Sequence, residues 1–337
     1  MGVNLKDLLI RKPIALEDLS GKTLIVDGNN MLYQFLSTIR GRDGALLTDH
    51  NGVVTSHLIG LFSRVTALMQ KNIKLAFVFD GEVPKLKHRE LAKRAEVKRE
   101  AEEKYQAALE SKDVEGMKMF AARTSRLTKD MIAEARLLLE GLGVPVVQAP
   151  SEGEAQAAHM VKKGLGWAVA SQDYDSLVCG APRLVQNLSV EGRRKVPGKL
   201  AFKTVEPLLL DLEENLKALG ISREQLLTLA VLVGTDYAPA GVKGIGPKKG
   251  LALVKQVKSR EELFETHKLA DDVDWREVFE VFEKLPVSDT VDIQWKPVNR
   301  NQVFSFLVEK HDFGAERVEK VLDAIAPAKN QRSLGDF

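Results

Sequence analysis

One cysteine, Cys179, stands in 337 residues. That excludes an internal disulfide framework and fits a reducing compartment. Long apolar runs are missing too. The longest, Leu226–Val233, contains Thr228 and is far too short to span a bilayer. The opening MGVNLKDLLIRK places Lys6 and Asp7 inside what would be the apolar core of a secretory signal, and Lys6 breaks the myristoylation pattern. Strong charge of one sign is absent: 49 Lys and Arg face 47 Asp and Glu, for a net charge of +2. Attraction to a polyanion must then come from local patches. The six histidines show no zinc-type spacing and have no cysteine pair to help them. No G-x-S-x-G nucleophile elbow occurs. These absences predict an intracellular, cytoplasmic chain without membrane contact. Its length allows one large domain or two, and 44% hydrophobic residues allow a sizeable core.

The apolar pattern is that of an α/β protein. Thr23–Val26 reads as a buried strand followed by a helix from about Asn30. Asn51-Gly52 signals a type I′ hairpin. Ser56 reads as the cap of a helix reaching Gln70, and Leu75–Phe79 as the next strand. Residues 85–130 are dense in Lys, Arg and Glu and broken near Gly116, which predicts an inserted, projecting pair of helices. A helix at 129–140, the strand VPVV, a helix from about Gly153 and the strand WAVA follow. Residues 183–204 read as short strands or loops, and the chain is mostly helical from about 205 to Ala326. The residues from Pro327 read as an exposed tail.

Seven acids fall where such a sheet would gather them: Asp27, Asp80, Glu152, Glu154, Asp173, Asp175 and Asp236. Asp27, Asp80 and Asp236 close the apolar runs LIVD, AFVFD and LVGTD. Each acid also has a structural reading. Asp27 alone serves as a turn or cap residue. Glu154 lies three residues after Ser151 and makes a capping box. Carboxylates crowded together are costly to bury, and hard divalent cations with a preference for oxygen remove that cost. The whole set therefore predicts a Mg²⁺ site at the C-terminal edge of a largely parallel sheet.

GVKGIGPKKG fits neither common phosphate-loop pattern and follows a helix, Glu224–Val233. It reads as a hairpin between two helices, with Pro247 at the first position of the second. Gly244 and Gly246 allow close backbone approach. Lys243, Lys248 and Lys249 stand beside helix-start amides that can hold a phosphate.

Taken in order, MGVNL, VDGNNMLYQFL, TSHLIGLFSR, VFDGEVPKLKHRELAKR, APSEGEAQAAHM, SQDYDSLVCG and LVGTDYAPAGVKGIGPKK resemble the flap endonucleases of the structure-specific 5′ nuclease superfamily, in their archaeal form. The resemblance covers nearly the whole chain. It implies a single nuclease domain over 1–326 with a central, mostly parallel sheet flanked by helices. Within it lie an N-terminal nuclease region (1–84), a helical arch (85–130), an internal region (131–256) with a helix-hairpin-helix at about 224–256, and a C-terminal helical part (257–326). Asp27, Asp80, Glu152 and Glu154 would surround one Mg²⁺, and Asp173, Asp175 and Asp236 a second, with Mn²⁺ able to substitute. Lys87 and Arg94 match the basic pair that positions the scissile phosphate. Tyr33 matches an aromatic that stacks on the nucleotide near the cut, and Arg40 a DNA contact.

The implied activity is Mg²⁺-dependent cleavage of branched DNA (5′ flaps, nicks, gaps) near the single-strand/duplex junction, with 5′-to-3′ exonuclease activity, in replication and repair. The implied setting is a nucleoid-associated monomer. The tail QRSLGDF (within 327–337) resembles a sliding-clamp peptide for the proliferating cell nuclear antigen, anchored by Gln331, Leu334 and Phe337; the family pattern places one more aromatic after Phe337. Two other readings are a 5′-to-3′ exonuclease that prefers nicks and ends, and a clamp-tethered DNA-binding protein without catalysis.

Overall fold

The computed structural model describes residues 2–41, 43–111, 113–121, 124–188, 192–195, 202–270 and 273–326. The clamp-peptide anchors Gln331, Leu334 and Phe337 lie outside the described residues. The strands are β1 (Lys12–Pro13), β2 (Thr23–Asp27), β3 (Lys74–Phe79), β4 (Val146–Gln148), β5 (Ala168–Ala170), β6 (Arg183–Gln186), β7 (Gly192–Lys195), β8 (Phe202–Val205) and β9 (Leu208–Asp211). The helices of the N-terminal half are α1 (Gly28–Thr38), α2 (Ser56–Gln70), α3 (Lys87–Glu110), α4 (Val114–Ala121), α5 (Lys129–Gly141), α6 (Gly153–Lys162) and α7 (Asp175–Val178). Those that follow are α8 (Leu212–Leu219), α9 (Arg223–Val233), α10 (Pro247–Gln256), α11 (Arg260–Thr266), α12 (Trp275–Lys284), α13 (Arg300–Phe304) and α14 (Ala315–Ile325).

Seven strands form one sheet in the order β1-β9-β6-β5-β2-β3-β4. The run β6-β5-β2-β3-β4 is parallel, and β9 and β1 add an antiparallel edge. The central strands are apolar on both faces because helices cover both. Leu24, Val26, Leu75, Phe77, Phe79, Ala168 and Ala170 pack with α1, α2, α5 and α14. Their alternates Ile25, Ala76, Val78 and Val169 pack with α6, α7 and α9. Phe77 has no exposed surface. Truncating it to alanine is expected to cost about 3–5 kcal/mol in urea unfolding; a loss under about 1 kcal/mol would contradict this packing.

From β2 the chain moves outward through β3 to β4, then returns to β5 on the other side of β2. The strand order therefore reverses at β2, and such switch points open a crevice at the carboxyl ends of the strands. The predicted insertion is the α3–α4 pair. In α3 only Ala101 and Ala108 are buried, which is what the charged composition requires of a projecting element. α3 ends at Glu110 and α4 begins at Val114, so Gly116 lies inside α4 and not at the break; the Asp113 carboxylate accepts a hydrogen bond from the Gly116 amide (3.0 Å) at the start of that helix.

Three local expectations change. The turn at 49–52 is not type I′: Gly52 has φ of 78° but Asn51 is not left-handed. Asp49 sets the turn instead, accepting from the Asn51 amide (3.0 Å) and the Val53 amide (2.9 Å). Ser56 does not cap α2; its hydroxyl accepts from the Leu47 amide (2.9 Å). Residues 208–211 form β9 rather than helix, because they complete the sheet against β6. Among the described residues, no helix is long and apolar enough to cross a membrane.

Candidate active site

Asp27 ends β2, and Asp80 directly follows β3. Glu152 and Glu154 sit at the start of α6, just past β4; Asp173 and Asp175 lie between β5 and α7. Three neighbouring parallel strands thus deliver carboxylates to one crevice, and the loop after β4 adds two more. Asp236 arrives differently. It follows α9, not a strand, on a tight turn in which Thr235 and Ala238 form an isolated bridge. Gly234 makes that turn possible: its φ is 118°, and a side chain there would strike the Pro239 carbonyl.

The cap reading and the site reading of Asp27 both hold. Its carboxylate accepts from the Asn30 amide (3.0 Å), starting α1, and from the Ser171 hydroxyl (3.1 Å). The capping box of Ser151 and Glu154 does not form. The Ser151 hydroxyl donates to the Glu82 carbonyl (2.7 Å), and Glu152 takes the cap position without a side-chain bond. This leaves the first amide of α6 free for another acceptor, and Gly153 N donates to Asp80 at 2.7 Å. A Cβ on Gly153 would lie 2.8 Å from the Asp80 carboxylate and would press it away from the amide that donates to it.

Asn30 is a site residue that the list of acids missed. Its amide nitrogen donates to Asp173 (2.8 Å), while its oxygen accepts from the Gln172 amide (3.2 Å) and from Gln34 (2.9 Å). The signal was present in VDGNN. The Val3 amide reaches Asp175 (3.1 Å), bringing the first residues of the chain to the same crevice.

The electrostatics follow from crowding. Burial, then the neighbouring Asp80 and Asp173, raises Asp27 to about 7. Burial, then Asp173 and Asp236, raises Asp175 to about 7. Glu154 is pushed well up by burial and by Asp175. Burial also raises Glu152, although Lys87 opposes it. Asp80 is raised too, by burial first and then by Asp236, while the Gly153 amide and Lys87 oppose the rise. Asp236 goes the other way: burial would raise it, but Lys87 and Arg94 outweigh burial and lower it.

The sign for Asp27 and Asp175 is that of acids raised on folding. Their favourable contribution is full below the ordinary pKa of 3.8 and is lost as pH rises through about 7. In chelator, the unfolding midpoint is expected to decline as pH rises from about 4 to about 7. Asp27→Asn and Asp175→Asn should each flatten that fall; an unchanged slope in both would contradict the crowding.

The arch reaches into this crevice. Lys87 Nζ lies 2.5 Å from Glu152 and 3.3 Å from Asp236. Arg94 lies 2.5 Å from Asp236 and 2.8 Å from Glu90 on its own helix. With these cations in place, no three of the described His, Cys, Asp and Glu side chains close around a single point. Tyr33 is 39% exposed on α1 at the rim, with Lys98 Nζ 5.1 Å from its ring centroid. Arg40 turns inward, donating to the carbonyls of Leu36 (2.9 Å) and Gly44 (2.7 Å) and to the Ser125 hydroxyl (2.5 Å). It ties the end of α1 to the chain leaving the arch.

The glycine stretch joins α9 to α10, with Gly246 as cap and Pro247 first in α10. Gly244 has φ of 78°; Lys243, Gly244, Gly246, Lys248 and Lys249 are exposed, and Ile245 is buried.

A model of the XPG N-terminal domain matches residues 1–101, and a model of the XPG I-region matches residues 143–236. The first stretch carries Asp27, Asp80, Lys87 and Arg94, and the second the other five acids. Fold and site together are those of an XPG-type nuclease. The chain belongs to the flap endonuclease 1 family: it is 49% identical to the Flap endonuclease 1 of Thermococcus onnurineus over 97% of this chain and 95% of that one. With the Flap endonuclease 1 of Pyrococcus furiosus the identity is 48%, over 97% and 96% of the two chains. Among solved structures, flap endonuclease-1 from Methanococcus jannaschii superposes with a TM-score of 0.76 at 39% identity, over 96% of this chain and 98% of that one. The catalytic core of Rad2 in complex with DNA substrate superposes with a TM-score of 0.69 at 25% identity, over 96% and 100%.

Proposed function

We propose that this flap endonuclease cleaves 5′ flaps and related branched DNA with two divalent cations, Mg²⁺ or Mn²⁺, held by the seven carboxylates. The observation that carries the reading is their convergence at the switch point, where burial and mutual repulsion raise Asp27, Glu154 and Asp175. A set of oxygen donors only, with more negative charge than Lys87 and Arg94 neutralise, fits a hard divalent cation. Asp27, Asp80, Glu152 and Glu154 form one group of ligands, and Asp173, Asp175 and Asp236 the other. Such ions, once bound, supply an activated water and stabilise the leaving oxygen.

The chain's own groups do the rest. Lys87 and Arg94 neutralise the scissile phosphate, and Tyr33 stacks on the nucleotide beside it. Asn30 and the Gly153 amide hold Asp173 and Asp80 in orientation. Specificity rests on DNA shape rather than base edges. The test is cleavage of matched flap, nick and single-strand substrates with Mg²⁺ and with chelator. Flap cleavage should vanish in chelator and return with Mg²⁺ or Mn²⁺; cleavage that persists in chelator would overturn the metal reading.

The hairpin between α9 and α10 grips duplex backbone through Lys243, Gly244, Gly246, Lys248 and Lys249. Replacing Lys248 and Lys249 with alanine should weaken binding to all duplex substrates alike and reduce the salt slope by roughly one to two. An unchanged slope would leave the hairpin a structural turn. Gln331, Leu334 and Phe337 tether the monomer to the sliding clamp. Leu334→Ala should remove calorimetric binding to the clamp and leave clamp-free cleavage unaltered; retained binding would place the contact elsewhere.

A further inference from the structure

Lys87, Arg94 and Lys98 follow one another along α3 at spacings of seven and four, which places them on one helix face. All three are engaged with the site. Lys87 bridges Glu152 and Asp236, Arg94 reaches Asp236, and Lys98 lies over Tyr33. The Lys87 pairing is well shielded, with side-chain exposures of 14% for Lys87 and 6% for Glu152. The partners of these cations are therefore the groups assigned above to the divalent ions and the nucleotide. An ammonium at 2.5 Å from a Glu152 oxygen occupies the approach a divalent ion would take, and two cations so close repel. While the arch is docked, no three of the described acidic or imidazole side chains enclose a point.

We propose that arch docking and divalent-cation loading compete for the same carboxylates: α3 is the site's own counter-ion, and cation binding releases it. The inference rests on the reading of the acids as metal ligands. By linkage, the cation weakens arch docking by the same factor by which the docked arch weakens cation binding. Release also readies the arch for substrate. Lys87 and Arg94 lose their carboxylate partners and become available to a phosphate, and Tyr33 loses Lys98 and becomes available to a base. Glu90, four residues before Arg94 on α3, keeps its 2.8 Å contact and holds the guanidinium oriented.

The test is Mn²⁺ titration of the DNA-free protein by calorimetry, with amide exchange across residues 87–110 followed in parallel. Lys87→Met and Arg94→Met should each bind Mn²⁺ about tenfold tighter than the parent, although both substitutions impair cleavage. Lys93→Met, at an exposed arch position, should stay within about twofold. Mn²⁺ should speed exchange of α3 in the parent. Equal or weaker binding by Lys87→Met, or slower α3 exchange on adding Mn²⁺, would refute the competition. Equal tightening by Lys93→Met would refute it as well, by reducing the effect to general charge. Absence of Mn²⁺ binding in the parent and every variant is a different result, and would sink the assignment of the acids as metal ligands.

Discussion

Asp175→Ala is expected to lower single-turnover flap cleavage by at least about a thousandfold while leaving flap binding largely intact. Asp175 is 4% exposed and stands among Asp173, Asp236 and Glu154. Its carboxylate accepts from the Val3 amide (3.1 Å) and is otherwise crowded by other carboxylates, a setting suited to a metal ligand. In the function proposed above, DNA affinity comes mainly from exposed lysines and helix-start amides elsewhere, which the substitution does not touch. The variant should also fold well in chelator, since it removes a crowded carboxylate. Cleavage at the parent rate would show that the two-metal assignment is wrong. Loss of binding and cleavage in equal measure would show that Asp175 shapes the DNA surface instead.

Lys87→Ala is expected to slow single-turnover cleavage about a hundredfold or more and to weaken flap binding much less. Lys87 is the first residue of α3 and its ammonium stands beside Glu152 and Asp236, so it can meet a phosphate drawn to cations held by these carboxylates. Its pKa is raised: burial would lower it, but Glu154, Glu152 and Asp236 together outweigh burial. The side chain therefore stays charged at any working pH and acts as a fixed cation, not as a proton donor. An interaction made chiefly in the transition state lowers the rate at saturating DNA, whereas general attraction lowers binding. Equal losses in both would demote Lys87 to a general electrostatic contact. Arg94→Ala should follow the same pattern.

Much of the fold was legible because both faces of β2, β3 and β5 are covered. Full burial leaves apolar runs that are read without knowing the partners, and the acids that end them mark the carboxyl edge. The arch was legible for the opposite reason, since α3, with only Ala101 and Ala108 buried, keeps a charged composition. Where the reading slipped, a side chain outcompeted a local rule. Asp49 replaced the type I′ turn with its own hydrogen bonds, and Ser151 turned from the Glu154 amide to the Glu82 carbonyl. The Asp49 bonds are local, an Asx-type turn that competes with the Asn-Gly rule over the same few residues, whereas the Ser151 bond spans 69 residues and has no signature at short range.

The division between sequence and structure follows the range of the forces. Sequence by itself determined the family, the α/β class, the seven acids, the basic arch and the glycine hairpin, all of which are written in residue type and short spacing. Only the tertiary structure decided that the turn at Gly234 brings Asp236 up to the carboxylates at the strand ends. It also decided that Asn30 orients Asp173 across 143 residues and that Arg40 faces the arch exit. It placed Lys87 and Arg94 on the carboxylates themselves, across as many as 142 residues for Arg94 and Asp236. Charge pairs and hydrogen bonds act over a few ångströms in space and leave no periodic trace along the chain.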